Sequence, residues 1–353
     1  MSDTQSTDTT DTDETNAPTP VGVKLGSTRT VLDLPDGDDG RERHSTLTCL
    51  ATYEDAITGD ERVVFGHDAA TEYPDAVRFM LRSGLPENDE SVVDAKRFFD
   101  AIVDGYDVPA DSAVVYAVPT IDNEAGVENL ESVIEDSAIG EAAVRSFPES
   151  LCGAVPAYGD GLEAIDEVCI SVNMGSTTLE ASAYRRGEQL SPFSTGSVTG
   201  NGVDRRIVAA VEEESQGRVH IDRTTAREYK ETHADVDGFE PFTDVVQQPG
   251  GGSHEFTVDR GVRKPVDRYI DDAVDAVANE FLPGLANAHM KPYQLALGRP
   301  VAVTGGMACI PGLVEAFGKR LSAELDRDVE VVAPDDPATA AAEGAARIAE
   351  RLV

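Results

Sequence analysis

Basic residues, paired cysteines, clustered histidines and long apolar runs are all scarce in this sequence, and each shortage removes a class of function. Lysine and arginine number 29 against 66 aspartates and glutamates, a formal net charge of −37 over 353 residues. A field of that sign repels phosphodiester backbones and anionic lipid, so neither nucleic acid nor a charged membrane surface is expected as a partner. The four cysteines, Cys49, Cys152, Cys169 and Cys309, stand far apart with no Cys-x-x-Cys spacing. They read as small buried apolar residues in a reducing compartment. The six histidines form no His-x-His or His-x-x-x-His pair, which argues against a transition-metal site. No apolar run approaches a membrane span, and the N-terminus lacks a charged-then-apolar leader. A cytoplasmic protein with no direct membrane anchor is the expectation.

The acids that are present are spread along the chain instead of forming one block, and aspartate is abundant where lysine is rare. That distribution fits a protein working in concentrated salt, where screening removes the self-repulsion. Length allows two ordinary domains. Residues 1–20, MSDTQSTDTTDTDETNAPTP, contain no lysine or arginine and almost nothing apolar, so they are expected to form a disordered acidic tail. Strands and helices interleave from Val21 onward. Hairpin strands are expected at Val21–Leu32 and about Ser45–Thr52, a short strand at Arg62–Phe65, and helices at Pro74–Leu81 and Val92–Val103. Ser112–Val118 reads as a buried strand stopped by Pro119. A helix follows from Asn123, and a second hairpin covers Val168–Tyr184. Helical spacing recurs after Gly202 and from Val266 to Phe281. Between Val236 and Ser253 the pattern fails, and QQPGGGSH is expected to be an exposed loop. A strand then ends in Gly305-Gly306, and an alanine-rich helix closes the chain.

The most informative feature is an internal echo. VKLGSTRTVL, starting at Val23, is matched by VNMGSTTLEA, starting at Val172. Lys24 aligns with Asn173, Gly26 with Gly175, Ser27 with Ser176 and Thr28 with Thr177. Two related α/β halves, each presenting a glycine-hydroxyl hairpin turn, would offer N–H and O–H donors to one polyphosphate from both sides.

These motifs resemble, in order, those of the actin superfamily, which includes actins, MreB, ParM, chaperone ATPases and sugar kinases. The two hairpins are similar to its phosphate loops. SFPESLCGAVPAYGDGL (Ser146–Leu162) and DDPATAAAEGAARIA (Asp335–Ala349) resemble its two interdomain helices. TAREYKETHADV (Thr225–Val236) resembles the helix flanking the adenine, and VAVTGGMACIPGLVEAF (Val301–Phe317) the adenosine loop. The resemblance implies an actin-like, ribonuclease H-like duplicated two-domain α/β fold of the MreB-like branch. Domain I would comprise 21–158 plus 338–353 and domain II 159–337, with a nucleotide cleft between them.

The implied roles follow by position. Gly26, Ser27 and Thr28 with Gly175, Ser176 and Thr177 would hold the β- and γ-phosphates. Gly305, Gly306 and Met307 would lie against the adenosine, and Lys230 would reach the adenine or ribose. Glu149 would orient the attacking water together with Thr177. ATP is the implied cofactor, with Mg²⁺ bound indirectly through water and phosphates. Two departures bear on chemistry: Lys24 and Asn173 replace the loop acids that elsewhere hold the Mg²⁺ shell. Losing such outer-sphere groups typically costs about 10–100-fold, so hydrolysis is expected to be slow or absent. Arg227 further stands where the family usually has glutamate. Lys24 is expected to meet a phosphate or an acid, and Asp204 to be a helix-start acid. Glu149 has two readings of equal weight, catalytic acid and first-turn acid of a helix.

Three functions stay open at this point. The first is an ATP-binding, self-polymerising cytoskeletal filament protein of a halophilic archaeon, serving cell shape or intracellular organisation. The others are a non-polymerising nucleotide-binding regulator and a small-molecule kinase of the same superfamily.

Overall fold

The computed structural model describes residues 17–37, 40–159, 161–248 and 252–353. In the first half the strands are β1 (Thr19–Leu25), β2 (Arg29–Asp36), β3 (Gly40–Leu47), β4 (Cys49–Glu54), β5 (Glu61–Phe65), β6 (Val77–Phe79), β7 (Ser112–Val118) and β8 (Ala143–Pro148). Helices α1 (Gly66–Glu72), α2 (Asp89–Gly105) and α3 (Glu124–Glu135) are interspersed, and α4 (Glu149–Ala157) leads out. The second half opens with β9 (Val168–Met174), β10 (Leu179–Arg185) and β11 (Glu188–Thr195), then α5 (Gly200–Glu214) and α6 (Arg223–His233). Hairpin β12 (Phe242–Gln248) and β13 (Gly252–Val258) precedes α7 (Arg263–Asp275), which runs through a π-helical stretch into α8 (Leu282–Ala288). The chain ends with α9 (Met290–Ala296), β14 (Val301–Thr304), α10 (Leu313–Glu324), β15 (Val331–Val332) and α11 (Ala340–Ala349).

The echo is a duplication of topology. One sheet has the order β3-β2-β1-β7-β8 and the other β11-β10-β9-β14-β15. In each, an antiparallel meander of three strands is extended by two parallel strands on the side of its first member. Parallel additions need crossovers, and helices supply them. Each sheet has its own apolar core. Phe98, Phe99, Leu130 and Ile134 pack against β1 and β7 in the first lobe, while Tyr269, Phe281, Leu313 and Phe317 belong to the core of the second. Local signals agree with these elements: α2 begins at a capping box in which Asn88 and Ser91 exchange hydrogen bonds.

The two lobes meet along α4 and α11. The carbonyl of Cys152 on α4 is so close to Gly344 on α11 that a β-carbon there would fall 1.8 Å from its oxygen. At Gly22 on β1 a β-carbon would lie 2.0 Å from the Ala342 carbonyl oxygen, so α11 also lies hard against the first sheet. Small and branched apolar side chains fill the rest of this seam, among them Ala341, Ala345, Cys152, Val115, Val155 and Ile348.

Several expectations need correction. Thr19 and Pro20 are strand residues paired with Ser112 and Ala113, because β1 extends to the full length of β7. Residues 1–16, the greater part of the expected acidic tail, lie outside the described residues. The segment expected as a helix at Pro74–Leu81 contains β6, an edge strand paired with Cys49–Ala51; cross-strand pairing outweighs its weak helical spacing. The patternless stretch before Ser253 forms the β12–β13 ribbon, of which residues 249–251 lie outside the described ones. A two-stranded ribbon covered on one side gives no sustained apolar run: Phe242 stacks on His233 while Val245 is exposed. Cys49, Cys152 and Cys169 are buried as expected, but Cys309 is exposed. Among the described residues no helix is long and apolar enough to cross a membrane.

Candidate functional site

A cavity of about 300 Å³ opens where the β1–β2 and β9–β10 turns face each other between the lobes. Each turn is closed by its own backbone, Gly26 N–H to the Arg29 carbonyl at 3.1 Å and Gly175 N–H to the Thr178 carbonyl at 2.9 Å. Among the described residues, no protein acceptor takes the N–H groups of Ser27, Thr28, Ser176 or Thr177. The turns touch across the gap, Ser27 Oγ with Thr177 Oγ1 at 3.2 Å and Thr28 Oγ1 donating to Ser176 Oγ at 3.1 Å. The N–H of Gly84 donates to Ser27 Oγ, and the first N–H groups of α5 donate to the Gly175 and Ser176 carbonyls, so both turns are braced from behind. Four N–H groups without a protein acceptor and four hydroxyls, gathered by two facing turns, could hold phosphate oxygens.

All the residues singled out from sequence line this cavity except Gly305. Gly305 lies behind the wall with φ +92°, where an added β-carbon would meet Asn173 Oδ1 and the Met174 carbonyl, both at 2.6 Å. Only glycine lets β14 turn this close to β9. Gly306 is open to the cavity and Met307 is buried in its wall.

Lys24 meets an acid. Its Nζ is 2.7 Å from Glu149 Oε1, and Asn173 Nδ2 donates to the same oxygen at 2.9 Å. Glu149 is the first residue of α4, so the helix dipole also favours its charge. Its Oε2 has no protein partner among the described residues. Asp204 is not a helix-start acid: α5 begins at Gly200 with Thr199 as its cap, and Asp204 is buried one turn on. Its Oδ1 accepts from Lys230 Nζ at 2.6 Å, which is why Lys230 is held at the cavity wall. Arg29 and Glu231 close a third pair across the lobes at 2.9 Å.

These pairs decide the fit of cofactors. The donors suit a polyphosphate, whereas a protein-anchored Mg²⁺ is not suited. Each carboxylate lining the cavity, Glu149, Asp204 and Glu231, already holds a lysine or arginine. No group of three or more potential metal ligands exists among the described residues.

Sequence reasoning missed Glu180, and a signal was there. Lys24 pairs across strands with Val31, and its counterpart Asn173 pairs with Glu180. An apolar position in one repeat is a fully buried acid in the other. The Thr120 N–H and the Thr178 hydroxyl donate to its carboxyl. Burial, and next the charge of Glu149, push its pKa up to about 8 from the ordinary 4.5. The folded protein therefore keeps a proton that the unfolded chain releases between those two values. Its contribution to stability is complete below the lower value, declines as pH rises towards about 8, and is flat above. Glu180→Gln should flatten that decline, as read by denaturant midpoints at several pH values. An unchanged slope would show that Glu180 is ionised in the native state.

The comparisons with known proteins agree with this architecture. The family described as Salactin matches residues 18–353. A Salactin of Halobacterium salinarum is 60% identical over 336 residues, 95% of this chain and 92% of the relative. The solved structure of MreB5 of Spiroplasma citri bound to ADP superposes with a TM-score of 0.73 at 17% identity, over 93% of this chain and 94% of that one. The MamK double helical filament gives 0.72 at 18% identity, over 94% and 98%. MreB5 has also been solved with AMPPNP, with a TM-score of 0.73. The fold expected from the sequence, actin-like with a duplicated core, is the fold observed.

Proposed function

The chain belongs to the Salactin family of archaeal actin-like proteins, and from that premise we propose that it binds ATP between its lobes and assembles into cytoskeletal filaments in the cytoplasm. Its role would be in cell shape or intracellular organisation. The observation that carries the nucleotide reading is the facing pair of turns, with four unclaimed N–H groups around one gap. MreB5 bound to ADP and AMPPNP and MamK as a double helical filament, relatives in fold, support both parts of the reading.

Within this site Gly26–Thr28 and Gly175–Thr177 would hold the β- and γ-phosphates. Gly306 and Met307, with Gly305 behind them, would form the adenosine wall, and Lys230 its polar edge. Glu149 Oε2 and the Thr177 hydroxyl would orient a water for in-line attack. Slow turnover is expected, since Lys24 and Asn173 both occupy the other oxygen of Glu149.

A second reading, a nucleotide-binding regulator that neither polymerises nor hydrolyses, is favoured by that same occupied oxygen. Sedimentation in molar KCl with ATP, followed by electron microscopy of the pellet, separates the two. Nucleotide-dependent filaments are the expected result; a monomer in every nucleotide state would leave the regulator.

A further inference from the structure

We propose that this protein neutralises the phosphates of its nucleotide with its own side-chain cations, so that nucleotide binding does not require Mg²⁺. The inference rests on the nucleotide reading above and goes beyond it, since it concerns what supplies the positive charge.

The cavity inverts the charge of the chain. Four cations line it, Lys24, Arg29, Arg227 and Lys230, against the three carboxylates Glu149, Asp204 and Glu231. On a protein carrying −37 overall the site thus holds one more cation than acids, and each acid is matched by a cation. The carboxylates are not available to a metal shell. Glu149 is held at 2.7 Å by Lys24, Asp204 at 2.6 Å by Lys230, and Glu231 at 2.9 Å by Arg29. A divalent ion brought to Glu149 would stand beside the Lys24 ammonium, and two cations sharing one carboxylate repel. Lys24 and Glu149 are both largely buried, so even concentrated salt screens that repulsion weakly. The acid behind them, Glu180, faces Lys24 and Glu149 and is enclosed by Thr120 and Thr178. It therefore gives a metal no anionic ligand while it keeps its proton.

Arg227 is the independent observation. It lines the cavity, its guanidinium lies 5.6 Å from the centre of the Phe79 ring, and among the described residues its buried Nε has no hydrogen-bond partner. Buried donors are seldom left without an acceptor. Of the four cavity cations Arg227 is the one without a carboxylate partner among the described residues, so its charge is free to meet a phosphate or another anionic oxygen of the ligand. Lysine and arginine thus take positions around the phosphates where a metal ion would otherwise supply the charge.

Calorimetry of the full chain in molar KCl tests this, with ADP and AMPPNP as probes, in millimolar Mg²⁺ and again in EDTA. The expected result is binding in both, with dissociation constants differing by less than about tenfold, below the range typical of losing a metal's outer sphere. Lys24→Asp should raise the ratio to about 10–100-fold in favour of Mg²⁺. Lys24→Met removes the cation without adding an acid, and should weaken binding in EDTA more than in Mg²⁺. Arg227→Met should weaken both conditions alike. Binding by the native chain only in Mg²⁺ would overturn this inference and leave the nucleotide reading intact. Binding in neither condition would overturn the nucleotide reading itself.

Discussion

Gly344→Val is expected to leave little or no folded protein. The first atom of any side chain at that position falls 1.8 Å from the Cys152 carbonyl oxygen and 3.1 Å from the Val155 β-carbon. The obstacle is helix backbone, which cannot rotate aside as a flexible side chain can. Relief would require α11 to lift from α4, but α11 is itself pressed onto β1 at Gly22 and packed against Val115 and Ala117 of β7. Overpacking commonly costs about 1–3 kcal/mol and more where backbone must move, against a total stability of about 5–15 kcal/mol. Soluble yield and denaturant midpoint in molar KCl are the measurements. Gly284→Ala is the control: its β-carbon would meet nothing within 4 Å, and it should be neutral or slightly stabilising. A Gly344→Val chain as stable as that control would refute the account of the seam.

Lys230→Met is expected to have the next largest effect, and on two properties at once. Asp204 is 2% exposed and Lys230 8%, so removing the ammonium strands a carboxylate where water cannot solvate it. Breaking a buried pair from one side typically costs about 3–5 kcal/mol. Replacing both partners by apolar groups removes the stranded charge, so Asp204→Leu combined with Lys230→Met should recover most of the stability. Nucleotide affinity should not recover with it, because the double variant still lacks the cavity cation. Denaturation and calorimetry on the same samples separate the two effects. A single variant that unfolds like the native chain would show the pair to be a surface contact.

The repeat was legible because duplication leaves the same turn chemistry twice, and Gly-Ser-Thr can be recognised wherever it recurs. Ser112–Val118 was legible as a buried strand, and the structure lays it parallel to β1, the usual pairing of strands buried on both faces. Burial partners were not legible. Nothing local marks Asp204 as the mate of Lys230, 26 residues away and on another helix. Lys24 could be assigned to a phosphate or an acid, but the oxygen it chose depends on how α4 enters beneath the first sheet. Glu180 was missed for a different reason. Nothing in its own strand singles it out, and the contrast with Val31 appears only when the repeats are laid over each other. Strands β6 and β12 failed because edge and ribbon strands are held by their neighbours and carry little pattern of their own.

The matched meanders have one last consequence. A receptor built from two copies of a single motif is ambivalent: a rod-like guest could thread it head-first or tail-first with equal ease. Divergence between the copies removes the choice. One copy contributes Lys24 where the other has Asn173, and the α6 cations Arg227 and Lys230 belong to one side alone. A nucleotide bound there would thereby have a single heading, the same in every copy of the chain.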